Sequence, residues 1–380
     1  MTAPGIPDGP PRIGYCCLYR SPLADAKEEA RFNVAGTTVT ALQRMEPADA
    51  FAKVLALVSR NLAAMENHLR RVATASPLER LLRLDGNVLP AFTHPVARWM
   101  YDEPVMRELV QQGLAAAGRI ALQGGVRLSL HPGPFCVLAS PNPAAVKNGI
   151  EELEYHTDLM RWMGLAGGWH PHGAHVNIHV GSTQTGVDGF RAGLARLSQD
   201  ARDLLTVEND EVSFDLDSLL PLAGDVPIVL DLHHEWLSSG GRYLQPDDPR
   251  IAKVVESWRG VRPVGHISVS RENVLPDHAP DTLPDFAALV ADGHSVRDLR
   301  AHSDTMWNRA VNDWVIGHLR WTDIEVEAKL KNVASLQLAE QVRASSPSSS
   351  GRGSRQAACA SAAPVYTLPQ RGEQTDTHGR

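Results

Sequence analysis

Five short apolar runs in this chain each end in a side chain that can bind a metal, and they follow one another in sequence order. VRLSLHPGPF delivers His131, HVNIHVGS His179, LLTVENDE Glu208, VPIVLDLHH Asp231 and His234, and TDIEVEAK Glu327. A sixth run, RPVGHISVS, carries His266. A strand buried on both faces reads as a continuous apolar run, so each segment predicts a parallel strand with a ligand at its C-terminal tip. Six such tips in register predict a (β/α)8 TIM barrel, an α/β fold whose catalytic face is built from strand ends.

IGYCCLY (13–19) and LLRL (81–84) complete a set of eight strand candidates. Helical periodicity alternates with them. Phe51, Val54, Leu55, Val58, Leu62, Met65 and Leu69 form one apolar face, and Val146, Ile150, Leu153, Met160 and Met163 form another after His131. Phe190, Leu194 and Leu197 follow His179, while Ile251, Val254 and Val255 precede His266. Strand–helix alternation with short connections implies parallel pairing and right-handed crossovers. The stretch 269–301, with Pro276, Pro280 and Pro284, is the one long insertion, and long loops in compact barrels tend to be functional.

A chain of 380 residues, 43% hydrophobic, suits one large barrel. The expected division is a leader at 1–11, a barrel at 12–343 and a disordered tail at 344–380, where the composition turns to Ser, Gly, Ala and Pro. No run of about 18 apolar residues is present, so no membrane span is expected. Neither a basic n-region nor an apolar h-region opens the chain, and Cys16, Cys17, Cys136 and Cys359 lack finger spacing. A cytoplasmic protein with reduced thiols is the reading, and a monomer. The formal net charge of −7 argues against a general nucleic-acid coat, although bound divalent ions would offset several carboxylates.

The candidate metal ligands are therefore His131, His179, Glu208, Asp231, His234, His266, His302 and Glu327. Taken singly, each reads more readily as a satisfied buried histidine or a capping carboxylate than as a ligand. Together, Glu208, Asp231 and Glu327 would set three carboxylates at one mouth, a costly arrangement without a cation or proton to neutralise it. His170, His172 and His175 crowd GGWHPHGAH and read as a polar loop.

The motifs resemble the UV damage endonuclease family from about Arg12 to Asn332. RIGY, LPAFTHP, LSLHPGPF, ASPNPAAV, ELEYHTDLM, HVGS, VENDE, VLDLHH, SWRG, RPVGHIS, HSDTMW and VEAKLK fall in family order. The resemblance implies two or three divalent ions, manganese with magnesium or zinc as alternatives, held by the eight residues above with Glu208 as a bridge. It also implies damaged double-stranded DNA as substrate, nicked 5′ of a pyrimidine dimer or related distortion to leave a 3′ hydroxyl, with Glu208, Glu327 and His234 carrying catalysis.

Three positions depart from the family pattern. Pro134 and Phe135 stand where Gln-Tyr commonly probes the lesion, Val264 where a lysine joins the metal shell, and Asn87 where some members have a histidine. Tyr15, the other expected probe, is retained. The altered probe pair motivates an alternative, a barrel of this kind retasked to a small sugar, polyol or peptide. A non-catalytic lesion-binding protein would need a broken metal site, which the eight ligands oppose.

Overall fold

The structure is a computed structural model and describes residues 9–345. The segments read as the first part of the leader and as most of the tail lie outside the described residues. Eight strands form a closed, wholly parallel barrel: β1 (Ile13–Cys17), β2 (Leu81–Leu84), β3 (Arg127–Leu130), β4 (His175–His179), β5 (Leu205–Glu208), β6 (Ile228–Asp231), β7 (Val264–Ile267) and β8 (Asp323–Val326). Closure comes from β1 pairing with β8, Tyr15 opposite Val326. Gly14 permits the tight approach of β1 to β2, since a Cβ there would meet the Leu81 carbonyl oxygen at 2.3 Å.

Period-two alternation gives each strand an outer face toward helices and an inner face toward the lumen. The outer faces are aliphatic and fully buried, as at Leu128, Leu130, Ile324 and Val326. The inner faces are more polar than the apolar runs suggested. Across the lumen Arg127 pairs with Asp323, Ser129 donates to Glu325, and Arg83 reaches Glu325. Barrels are ordinarily filled by branched aliphatic side chains, whereas here buried ion pairs occupy part of that volume. At the floor, Trp258 packs with Val229 and Val264, so Val264 joins a small apolar layer.

The first periodic segment forms the helix Pro47–Thr74, which opens on a proline at its first turn and buries Val54, Val58, Leu62, Met65 and Leu69. Burying each of those side chains contributes about 1.5–3 kcal/mol. It packs on the helix Pro104–Gly124, which the sequence reading did not single out. Gly125, at φ +62°, ends that helix in the left-handed cap that glycine adopts without a Cβ clash. The final helix, Asn332–Ser345, takes in Ala344 and Ser345, two residues beyond the expected barrel boundary.

The 269–301 insertion holds two short helices, Phe286–Ala291 and Val296–Leu299, the second opened by a Ser295–Asp298 capping box. Leu275 and Leu299 pack with Trp236 and Leu237 in a satellite core. The chain then returns beside the exit of β7, where Ser270 bridges to His302. That return sets His302 at the mouth. Among the described residues no helix is long and apolar enough to cross a membrane.

Candidate metal centre

Glu208 is the last residue of β5 and only 1% exposed. Three groups of ligand atoms surround it, each with all atoms within 4.8 Å of one another: His131–His179–Glu208, Glu208–Asp231–His234 and Glu208–His266–Glu327. Seven of the eight candidate ligands thus share one centre, with Glu208 common to all three groups. His302 is in none of them, but its ring lies 6.2 Å from that of His234 and its Nδ1 is 2.7 Å from the Glu327 carbonyl oxygen.

The imidazoles form an arc around the carboxylates. Ring centroids run from His266 to His131 at 6.4 Å, His131 to His179 at 5.5 Å, and His179 to His234 at 6.2 Å. His131 Nδ1 contacts the Pro132 carbonyl at 2.9 Å while its Nε2 faces Glu208 at 3.2 Å. His234 Nδ1 likewise meets the Asn209 carbonyl at 3.0 Å. A ring nitrogen anchored on a backbone carbonyl fixes the tautomer and aims the other nitrogen, the usual support for a ligating histidine.

Asp231 ends β6 and caps the helix Leu232–Ser238, its Oδ1 accepting from the His233 and His234 amides at 2.7 and 2.8 Å. Its Oδ2 is buried with no hydrogen-bond partner among the described residues, as is His179 Nδ1. An orphaned carboxylate oxygen facing imidazoles is costly unless a cation meets it. The donor set, imidazole with carboxylate and no thiolate, suits a borderline to hard divalent ion.

The charges explain the titration behaviour. Burial raises the Glu208 carboxyl, but the facing His266 and His179 outweigh it and hold the group well below the ordinary carboxylate range. Burial disfavours the charged ring of His266, yet Glu208 opposes it and the group is pushed up to about 10. At His234 burial is outweighed by Asp231, Glu208 and Glu211, and the ring rises to about 9. His131, where burial dominates, is lowered.

Several residues of this site escaped the sequence reading. Arg83, in the middle of β2 and buried, reaches Glu325 at 3.0 Å, Glu327 at 2.6 Å and His266 Nε2 at 2.8 Å. Glu325, two residues before Glu327, faces the same lumen by strand alternation, which was the available signal. Asn177 donates to Glu208, and Glu211 stands 3.7 Å from His234 Nε2.

Three expectations need correction or relocation. Tyr15 faces the helix layer, 6% exposed, with its hydroxyl 2.8 Å from His68 Nε2; the lumen side of β1 is taken by Gly14 and Cys16, so Tyr15 is no surface probe in this structure. Asn87 is exposed on the loop after β2, its amide bonded to Asp85, in none of the ligand groups. His170 and His175 are no polar loop but buried at the floor, both rings against Trp258. Pro134 and Phe135 are both exposed on the loop after β3, Phe135 at 90%. Leu23 and Val212, on the loops after β1 and β5, are 84% and 76% exposed and were not foreseen.

Fold and site together define a (β/α)8 barrel with an imidazole–carboxylate centre at its C-terminal mouth. The chain belongs to the family described as UV-endonuclease UvdE, which matches residues 11–349. A UV-damage endonuclease of Neurospora crassa is 30% identical over 202 residues, covering 50% of this chain and 30% of the relative. One from Schizosaccharomyces pombe is 27% identical, covering 88% of this chain and 51% of the relative. The chain thus spans about half or less of the length of these two fungal relatives. A UV DNA damage endonuclease of Bacillus velezensis, 25% identical, covers 86% of this chain and is itself 91% covered. The crystal structure of SacUVDE superposes with a TM-score of 0.67 at 21% identity, covering 88% of this chain and 98% of that one, and shares the fold.

Proposed function

We propose that the protein is a DNA-repair endonuclease that nicks one strand 5′ of UV photoproducts and other distorting lesions, with two or three divalent ions, manganese by preference. The observation that carries this reading is the convergence of three ligand groups on Glu208 in a chain of the UV-endonuclease family. In this reading His131, His179, Asp231, His234, His266, His302 and Glu327 would hold the ions, together with Glu208, the residue common to the three ligand groups. Bound divalent ions supply an activated water and neutralise charge at the phosphorus and the departing oxygen. The chain's own part is positional. Arg83 fixes Glu325 and Glu327, the carbonyls of Pro132 and Asn209 orient His131 and His234, and His234 and Glu327 flank the Glu208 carboxylate.

One surface feature favours DNA over a small substrate. Phe135, Leu23 and Val212 stand in solvent on three mouth loops, apolar side chains suited to enter an already weakened base stack. The protein acts as a cytoplasmic monomer in this reading.

The test is incision of an end-labelled duplex carrying one defined pyrimidine dimer, with manganese supplied. A single nick 5′ of the dimer, absent from the undamaged duplex, supports the reading. Equal cutting of both duplexes, or none of either, removes it.

A further inference from the structure

At the floor of the barrel, the end opposite the ligand mouth, three arginines converge on one carboxylate. Arg12 precedes β1, Arg127 opens β3 and Arg262 precedes β7; Asp323 opens β8. Arg127 Nη1 and Arg12 Nη1 reach Asp323 Oδ2 at 2.9 and 3.5 Å, and Arg262 Nε reaches Oδ1 at 2.9 Å. Three guanidinium charges against one carboxylate leave a surplus of two. Those side chains are 33% (Arg12), 2% (Arg127) and 11% (Arg262) exposed, so the surplus is largely taken from water. Glu325, deeper in the lumen, is already engaged by Arg83, Ser129 and His266.

A cavity of about 280 Å³ opens beside this cluster, lined by Arg12, Arg127, Arg262, His172 and neighbouring glycines. Arg127 donates from Nε to the Gly173 carbonyl and from Nη1 to Asp323, while its buried Nη2 has no partner among the described residues. Gly173, at φ +76°, leaves the guanidinium room, since a Cβ there would lie 2.7 Å from Arg127 Nε. The guanidinium is also held over the Trp258 ring, 5.3 Å from its centroid. A floor that only needed closing would be served by one bidentate arginine on Asp323. A second and third guanidinium lining an adjoining void call for an anion, and planar guanidinium forks match tetrahedral oxyanions.

We propose that this floor cavity is a binding site for a phosphate group, carried by free phosphate or by a phosphomonoester, and separate from the metal mouth. Arg12 and the Nη1 of Arg262 supply the donors, Arg262 Nε and Nη2 being held by Asp323 and by the Leu319 and Thr322 carbonyls, and the buried Arg127 adds its charge from beneath. The site rests on geometry distinct from that of the endonuclease reading and stands or falls independently of it.

The experiment is calorimetric titration of the full chain with inorganic phosphate and, in a second arm, with a nucleoside 5′-monophosphate, at constant ionic strength. Four proteins are compared: wild type, Arg12→Ala, Arg127→Gln and Glu208→Ala. Arg12→Ala retains the backbone donation from residue 12 to Asp323 Oδ1, so its fold is preserved even if Arg127→Gln proves unstable. Saturable binding is expected in wild type and Glu208→Ala, weakened about tenfold or more by Arg12→Ala, as befits loss of a charge-assisted hydrogen bond. Tighter binding of the nucleotide identifies a phosphomonoester as the occupant, and equal or weaker binding identifies free phosphate. Binding lost in Glu208→Ala but kept in Arg12→Ala would assign phosphate to the mouth and overturn the proposal, as would no saturable binding at millimolar concentrations.

Discussion

Replacing Arg83 by methionine keeps the volume of the side chain and removes its charge from the centre of the barrel. The guanidinium is 7% exposed and bonds Glu325, which is fully buried, at 3.0 Å, as well as Glu327 and His266. Burial raises the Glu325 carboxyl, and Arg83 is the foremost group opposing it, so that the carboxyl lies well below its ordinary range. Without Arg83, Glu325 keeps Ser129 and His266 as its partners among the described residues. Removing one member of a buried pair typically costs about 3–5 kcal/mol, because the other charge stays in the low-dielectric interior. Arg83→Met should therefore lower the unfolding free energy by about that amount, while Arg83→Met with Glu325→Gln should recover about 2 kcal/mol or more of it. Equilibrium urea unfolding of wild type, both single variants and the double variant measures the coupling directly. A cost under about 1 kcal/mol, or strictly additive effects, would refute the view that the lumen is organised by this ion pair.

Other consequences are as direct. Burial lowers His68, His156 and His318 to about 4 and His170 to about 3. Their unfolded-state pKa is higher, so between about pH 6.5 and 4 the unfolded chain binds more protons and stability falls as the pH is lowered. Each histidine contributes up to about 1.4 kcal/mol per pH unit. Urea midpoints should drop steadily through that window, and a flat profile would mean these rings are protonated in the fold. Asp231→Asn keeps the capping oxygen and should leave melting within a few degrees of wild type while reducing bound metal. Asp231→Ala should lose the cap as well, about 1 kcal/mol more, readable by thermal unfolding. Phe135→Ala should not change stability, because the ring is 90% exposed, but should weaken binding to a lesion duplex by about 1–3 kcal/mol in a fluorescence titration.

The barrel was legible because strands covered on their outer face by helices leave unbroken apolar runs, and β2 emerged with the bounds anticipated for it, Leu81–Leu84. The mouth was legible for a related reason: a polar ligand ending such a run breaks the pattern where a strand stops. The lumen was not legible. Arg83 in LLRL, Arg127 in RLSL and Glu325 in DIEV are single charges in four-residue strands, and only ring closure shows that they meet across the interior. The phase of β1 was equally hidden. In IGYCC neither face is marked by a charge, so whether Tyr15 or Cys16 points inward depends on the β1–β2 and β1–β8 registers. The helix Pro104–Gly124 was overlooked because Gly113, Gly118 and a run of alanines blunt its apolar stripe.

The most direct test of the account is to strip the protein with a chelator, titrate manganese back, and follow bound metal and incision of a dimer-containing duplex in the same samples. Two or three ions per chain are predicted, with cutting rising in step with occupancy, and both lost in Glu208→Ala. Fewer than one ion per chain after reconstitution, or full incision in the presence of chelator, would contradict it.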